Sequence, residues 1–162
     1  MAGEQHPNAL LIKKLYTGIK NADLKAIADC YTGDAYFEDI AFKRSGKKQI
    51  MDMWRFVCRS QPTVTILSFS ADDHKGSGCW NAKYLYGKTN TKPGRPVENT
   101  ITSEFVFRDG RIVRHHDKCD AMAWARQAFP FPASLFAGAI EPLRRYMATR
   151  KLDKFLGRSA HS

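Results

Sequence analysis

Hydrophobic residues recur at two periods along this chain, and the change of period divides it. Behind Pro7, which suits a first helical turn, Leu10, Leu11, Leu15 and Ile19 return at helical spacing. Asn21-Ala22-Asp23 ends that helix and caps a second, short one carrying Leu24, Ile27 and Tyr31. Gly33-Asp34 predicts a turn into a strand, Ala35 to Asp39, and Ser45-Gly46 precedes a third helix with Ile50, Met53, Trp54 and Val57 in one stripe. From Pro62 the period falls to two. Thr63 to Ser70, Cys79 to Lys88, Val97 to Arg108 and Arg111 to Lys118 read as four strands. Turn-forming residues lie between them at Asp72 to Gly76, Lys92 to Pro96 and Asp109-Gly110, the last a tight hairpin. A helix from Ala121 to Phe129 is ended by Pro130-Phe131-Pro132. A further helical segment, Ser134 to Leu156, is interrupted near Gly138 and restarts around Pro142. Helices first and a meander afterwards make the class α+β.

Alternation also assigns faces. Val97, Asn99, Ile101, Ser103, Phe105 and Phe107 share the inward face of their strand, and Asn99 and Ser103 are polar interruptions in it. On the next strand Arg114, His116 and Lys118 share one face, and the long cations among them prefer water. That sends Val113, His115, Asp117 and Cys119 inward. A buried histidine and aspartate two residues apart need partners, and Arg55 and Tyr84 are candidates. Asp39, at the end of the first strand, is either a turn residue or the third member, and second acid, of the same cluster. Trp54, Trp80, Tyr84 and Tyr86 suit either a core or the walls of an apolar pocket.

Composition narrows the class of protein. The chain has 162 residues, 43% of them hydrophobic, which is enough for the core of one ordinary domain. The polar start, Met1 to Asn8, lacks the apolar region of a secretory signal, so the expected location is cytoplasmic. Cys30, Cys58, Cys79 and Cys119 form no CxxC pair and are expected to be reduced, buried thiols. The net charge of +10 is concentrated at Lys43 to Arg59 and Glu141 to Ser162. No nucleic-acid-reading motif accompanies it, so a solvated basic face is expected and no nucleic acid partner. No phosphate-cradling glycine loop or metal-spaced cluster calls for a cofactor.

Two stretches carry a resemblance. Asn21-Ala22-Asp23-Leu24, then Ala35-Tyr36-Phe37-Glu38-Asp39, then Arg44-Ser45-Gly46 follow a progression similar to that of ketosteroid isomerases. His115-His116-Asp117 resembles the H-W-D run on the last strand of SnoaL-like polyketide cyclases. Over Leu10 to Arg126 the chain is identified as a member of the nuclear transport factor 2-like superfamily, in its SnoaL-like and ketosteroid isomerase-like branch. The resemblance implies a cone-shaped, curved antiparallel sheet packed with N-terminal helices (a cystatin-like α+β barrel) around one small-molecule pocket. Residues 1–129 would form this domain and 130–162 its C-terminal helical extension.

The resemblance also puts Asp39 where ketosteroid isomerases carry their proton-shuttling aspartate, and Asp117 where the cyclases carry their base. Leu15 and Ser103 stand where the isomerases have a tyrosine and an aspartate, with Tyr16 one residue away. His116 to Asp120 is similar to limonene epoxide hydrolases, whose Arg-x-Asp element has no counterpart in Asn81 to Leu85. The expectation is a cofactor-independent acid–base enzyme (an isomerase, cyclase or lyase) acting on a hydrophobic carbonyl compound. Asp39, His115 and Asp117 would be catalytic, and Tyr16, Trp54, Trp80, Tyr84, Asn99, Ser103 and Phe105 would hold the substrate. A non-catalytic ligand-binding or dimerisation module is the alternative, with an epoxide hydrolase less favoured. The resemblance further implies a homodimer. Phe136, Ile140, Leu143 and Met147 make an apolar stripe among Arg144, Arg145, Arg150, Lys151, Lys154 and Arg158. This helix is expected to pack on its own domain or a dimer mate, in preference to a membrane.

Overall fold

Helix α1 (Pro7–Asn21) begins where the His6 imidazole accepts the Asn8 N–H at 3.1 Å, and Pro7 occupies its first turn. The computed structural model in which these elements are seen describes residues 6–159, with the Arg158 and Ser159 side chains outside the description. The polar stretch Met1 to Gln5 and the Arg158 charge of the basic tail therefore lie outside the described residues. The buried stripe of α1 is Asn8, Ile12, Leu15, Tyr16 and Ile19, whereas Leu10 faces solvent. Helix α2 (Leu24–Asp29) is capped by the Asp23 carboxylate, which accepts the Ala26 N–H at 3.0 Å.

Strand β1 (Tyr31–Glu38) starts earlier than the sequence predicts, because Gly33 and Asp34 form an irregularity inside it and not a turn before it. Tyr31 thus belongs to β1 and not to the stripe of α2. A short strand β2 (Lys43–Ser45), unforeseen in the sequence, pairs back on β1 and leads into α3 (Lys47–Arg59). Strands β3 (Thr63–Ala71), β4 (Lys75–Tyr86), β5 (Arg95–Arg108) and β6 (Arg111–Lys118) form the meander. Strand β4 begins four residues before the predicted Cys79, since the turn closes at Asp72 to His74. There the Asp72 carboxylate accepts the His74 and Lys75 N–H groups at 2.8 and 2.7 Å. Asp109 and Gly110 have φ of 51° and 72°, the left-handed pair a two-residue hairpin requires.

The six strands lie in the order β2-β1-β6-β5-β4-β3, curved but not closed. The sheet is antiparallel except between β1 and β6, which run parallel. Bulges bend it. One leaves Leu67 unpaired and outward on β3; another puts Val113 out of register on β6 and turns Ile112 into the core in its place. The convex face is polar, with Asn81, Lys83, Glu98 and Thr100 bonded to one another and Lys118 paired with Glu104. Helices α1 and α3 fill the concave side. Gly76 and Gly78 let α1 approach β4 closely: a Cβ at Gly76 would meet Ile12 Cδ1 at 2.9 Å, and one at Gly78 would overlap the Tyr16 ring.

After β6 come α4 (Ala121–Ala128), α5 (Ala133–Ala139) and α6 (Glu141–Ser159). Trp124, Ala125 and Ala128 of α4 pack against Val97, Tyr84 and Tyr86, over one end of the concave face. Helix α6 returns to the main core through Leu152, fully buried, and Phe155, which packs on Phe56 and beneath the Arg59 guanidinium. It does pack on its own domain, but not by the predicted stripe. Phe136, Ile140 and Leu143 face solvent, and Arg144 points inward. The four cysteines are unbridged thiols, with Cys30 and Cys58 buried and Cys79 and Cys119 partly so. Among the described residues no helix is long and apolar enough to cross a membrane.

Candidate functional site

Strand register assembles the candidate residues on the concave face. Ser103 of β5 stands opposite Gly78 of β4 on one side and Asp117 of β6 on the other. One inward position along, Phe105 stands between Gly76 and His115, and Phe37 of β1 lies beside His115. His115 and Asp117 are 1% and 6% exposed, so the predicted inward assignment holds for both.

Their partners are not Arg55, which bonds to Asp52 at the surface, nor Tyr84, whose hydroxyl accepts the Trp124 indole N–H at 2.8 Å. His115 Nε2 lies 2.7 Å from Asp117 Oδ1, and the Ser103 hydroxyl bonds to the same oxygen. His115 Nδ1 lies 2.8 Å from the Tyr31 hydroxyl, which in turn accepts the Trp54 indole N–H at 3.1 Å. One set of proton positions satisfies the whole chain. Trp54 donates to Tyr31, Tyr31 donates to His115 Nδ1, and a neutral imidazole donates from Nε2 to Asp117. Asp117 Oδ1 takes both hydrogen bonds and Oδ2 takes none among the described residues. Rings enclose the imidazole: Phe105 at 4.5 Å, Phe37 edge-on at 4.9 Å and Trp54 stacked at 6.3 Å. No lysine or arginine among the described residues bonds to the acid, so hydrogen bonds alone compensate its burial.

Two buried donors border this network. Tyr16, fully buried, reaches over Gly78 to the neighbourhood of Ser103, yet its hydroxyl makes no well-formed hydrogen bond among the described residues. Burial raises its pKa, partly opposed by the nearby Ser103. Trp80, whose ring centroid is 5.7 Å from that of Tyr16, also leaves its indole N–H unpartnered among the described residues. Buried donors of this kind are uncommon and call for an acceptor.

Asp39 follows the last paired residue of β1, Glu38 beside His116, which carries it toward Asp117. Its Oδ1 accepts the Ala41 and Phe42 N–H groups at 2.7 and 2.6 Å, the turn role open to it from the sequence, and its Oδ2 takes no bond among the described residues. Burial pushes its pKa up to about 6; the two N–H groups oppose that shift and the charge of Asp117 adds to it. Burial likewise raises the Tyr84 hydroxyl, and it pushes the Cys119 thiol up to about 12 with smaller contributions from Asp39 and Asp117. Asn99 is on the same face, one position from Tyr84 and Val97, and nearly buried. A groove of about 530 Å³ opens beside Tyr84 and Val97, between Gln61 and Gln127, and does not reach His115 or Asp117. Asp117, Ser103, Tyr16 and Trp80 therefore form one polar island, with Tyr84 farther along the face and the groove at the end of the sheet, where Lys83 and Glu98 of the convex side also line it.

Sequence reasoning missed Tyr31, which it placed in a helix, and the role of Gly78. Glycines at alternate positions, Gly76 and Gly78, ahead of Trp80 are the signal that could have revealed the close approach of α1.

A curved mixed sheet with helices on its hollow side is the ketosteroid isomerase-like architecture. The chain matches the SnoaL-like domain over residues 12–115 and belongs to that family. No curated protein matches it. Among solved structures it is similar to a hypothetical protein of ketosteroid isomerase-like fold from Catenulispora acidiphila, in complex with trimethylamine. That match has 13% identity, 73% of this chain and 91% of the other, and a TM-score of 0.62. It is similar to IdmH of Streptomyces antibioticus, a proposed polyketide cyclase, at 21% identity over 75% and 98% of the two chains with a TM-score of 0.62. A second proposed polyketide cyclase, from Xanthomonas campestris pv. campestris, matches at 15% identity over 78% and 99%, with a TM-score of 0.66.

Proposed function

We propose that this protein binds a hydrophobic small molecule bearing a carbonyl or phenolic oxygen on the concave face, and moves a proton on it without a cofactor. One observation carries this reading: a buried carboxylate, Asp117, is held at one oxygen by His115 and Ser103 while the other takes no bond among the described residues, beside two buried donors, Tyr16 and Trp80, that make no well-formed hydrogen bond there. The chain's similarity in fold to two proposed polyketide cyclases supports a substrate of that chemical kind.

In this reading Asp117 Oδ2 takes the proton from a carbon next to the carbonyl. The electron pair moves onto the carbonyl oxygen, where the Tyr16 hydroxyl and the Trp80 N–H meet the developing charge. His115 is a positioning residue that orients the carboxylate. Asp39, with a pKa near 6, is the second carboxyl: in its protonated form it gives its own proton to another carbon of the substrate, and Asp117 then returns the abstracted proton to Asp39. Phe105, Trp54, Asn99 and Tyr84 shape the apolar walls.

The test is incorporation of solvent deuterium into cyclic ketones, enones and β-diketones, followed by NMR. Asp117→Asn is expected to slow exchange by about 10²–10⁴-fold while ligand binding persists. Equal exchange rates in wild type and Asp117→Asn would remove that aspartate from the reaction. A non-catalytic ligand holder is the second reading, favoured by the distance between the groove at Tyr84 and the acid network. It predicts binding with no exchange above the solvent rate.

A further inference from the structure

The C-terminal helices hold one run of large apolar residues outside the folded core. Among the described residues, nine large hydrophobic side chains are exposed, and six of them fall between Phe131 and Tyr146. Phe131 is 79% exposed, Phe136 55% and Tyr146 59%, with Leu135, Ile140 and Leu143 between them. They follow one another at short intervals from just before α5, through α5 and the junction at Ile140, into the first turns of α6.

The cause is Arg144. Its guanidinium is buried and donates to the Ile40 carbonyl at 2.6 Å and to the Ala137 and Gly138 carbonyls at 3.1 Å, the free carbonyls at the end of α5. That fixes the rotation of α6. Arg144, Ala148, Leu152 and Phe155, spaced four, four and three, face the domain, so Leu143 and Tyr146 must face away. Fixing the helix this way leaves an apolar surface in water, which a free-standing monomer has no reason to keep.

Charge selects the occupant. Arg150 lies on the same outward side, its guanidinium over the Tyr146 ring, and Lys154 is exposed one turn further on. Two acids, Glu141 and Asp153, stand in α6 against six basic residues, and Glu141 is already bonded to Arg145. A second copy seated on this side would set two basic α6 helices against each other and join two chains of net charge +10. An anionic bilayer matches both components. Phenylalanine, leucine and isoleucine enter the acyl boundary while tyrosine and arginine stay among the headgroup phosphates.

We infer that the outward side of α5 and α6, from Phe131 to Arg150, docks the protein on anionic lipid surfaces. Apolar carbonyl compounds partition into such surfaces, so docking would set the domain where its ligand is concentrated; the docking itself stands independently of any reaction.

Flotation with vesicles tests it, comparing phosphatidylcholine alone with phosphatidylcholine containing roughly 30% phosphatidylglycerol. The protein is expected to float with the anionic vesicles at low salt, with partition about tenfold lower at high salt, and to stay in the soluble fraction with phosphatidylcholine alone. Phe136→Glu and Ile140→Glu, at exposed positions that leave the fold intact, are expected to abolish flotation with an unchanged Tm. Arg150→Ala with Lys154→Ala is expected to weaken it about tenfold. Absence of wild-type flotation at low salt, or flotation of Phe136→Glu equal to wild type, would overturn the proposal. So would a concentration-dependent dimer in light scattering that Phe136→Glu dissociates while vesicles bind neither protein, since the occupant would then be a second copy.

Discussion

Asp39 holds its turn with one oxygen while its charge opposes its burial, and these two effects can be separated by one atom. Its pKa in the fold, about 6, stands above the ordinary 3.8. The folded state therefore holds the proton more tightly than the unfolded chain, and this group's contribution to stability falls as pH rises from about 3.8 to about 6. An asparagine in its place keeps an oxygen for the Ala41 and Phe42 N–H groups and carries no charge. Asp39→Asn is thus expected to stabilise the protein by about 1–2 kcal/mol at pH 7, with the gain vanishing near pH 4, measured by urea unfolding at both values. A loss of stability at pH 7 would mean that the anion is favoured where it sits. The same residue sets the pH profile if it shuttles a proton, with a limb centred near 6 that the asparagine variant lacks. Tyr31 makes a different case. Tyr31→Phe strands the Trp54 N–H and the His115 Nδ1 lone pair inside the core. A cost of about 1–3 kcal/mol is expected by the same unfolding measurement.

Between elements, close approach depends on what is missing from a side chain. Gly78→Ala would drive a methyl group into the Tyr16 ring and push α1 off β4, at an expected cost of about 1–3 kcal/mol. Gly33→Ala, where nothing lies within 4 Å of the added carbon, is the control expected to change the Tm little. Denaturant midpoints of the two variants provide the comparison. Packing of this kind also explains which parts of the fold are legible in the sequence. Strands β5 and β6 can be read because Glu98, Thr100, Arg114 and Lys118 leave each strand one dry face, and His115, Asp117 and Ser103 follow from alternation. Alternation fails at a bulge, so Ile112 and Val113 exchange places. It also cannot see a three-residue strand such as β2, which exists only through its pairing with β1. The periodicity of α6 is real, but its direction is decided by Arg144, whose carbonyl partners at Ile40, Ala137 and Gly138 are tertiary facts. Arg144→Leu is expected to free that rotation and cost about 2–4 kcal/mol, with loss of the α6 helical signal in hydrogen exchange preceding global unfolding.

For the molecule as a whole, the helices after β6 are part of the enclosure. Leu152 is fully buried among residues of the first helices and strands, and Trp124 bonds to Tyr84 on the concave face. A chain ending before Glu141 is expected to expose that core and bind an apolar dye such as ANS, with a Tm several degrees lower; unchanged dye fluorescence would contradict this. The order of strands has a temporal consequence as well. The first strand made, β1, lies inside the sheet against the last one made, β6, across more than seventy residues. A growing chain leaving the ribosome therefore carries Tyr31 and Phe37 without their neighbours until His115 has been synthesised. Assembly waits for the distant strand, as non-local pairing generally requires, and the acid cluster comes into being in that same late event.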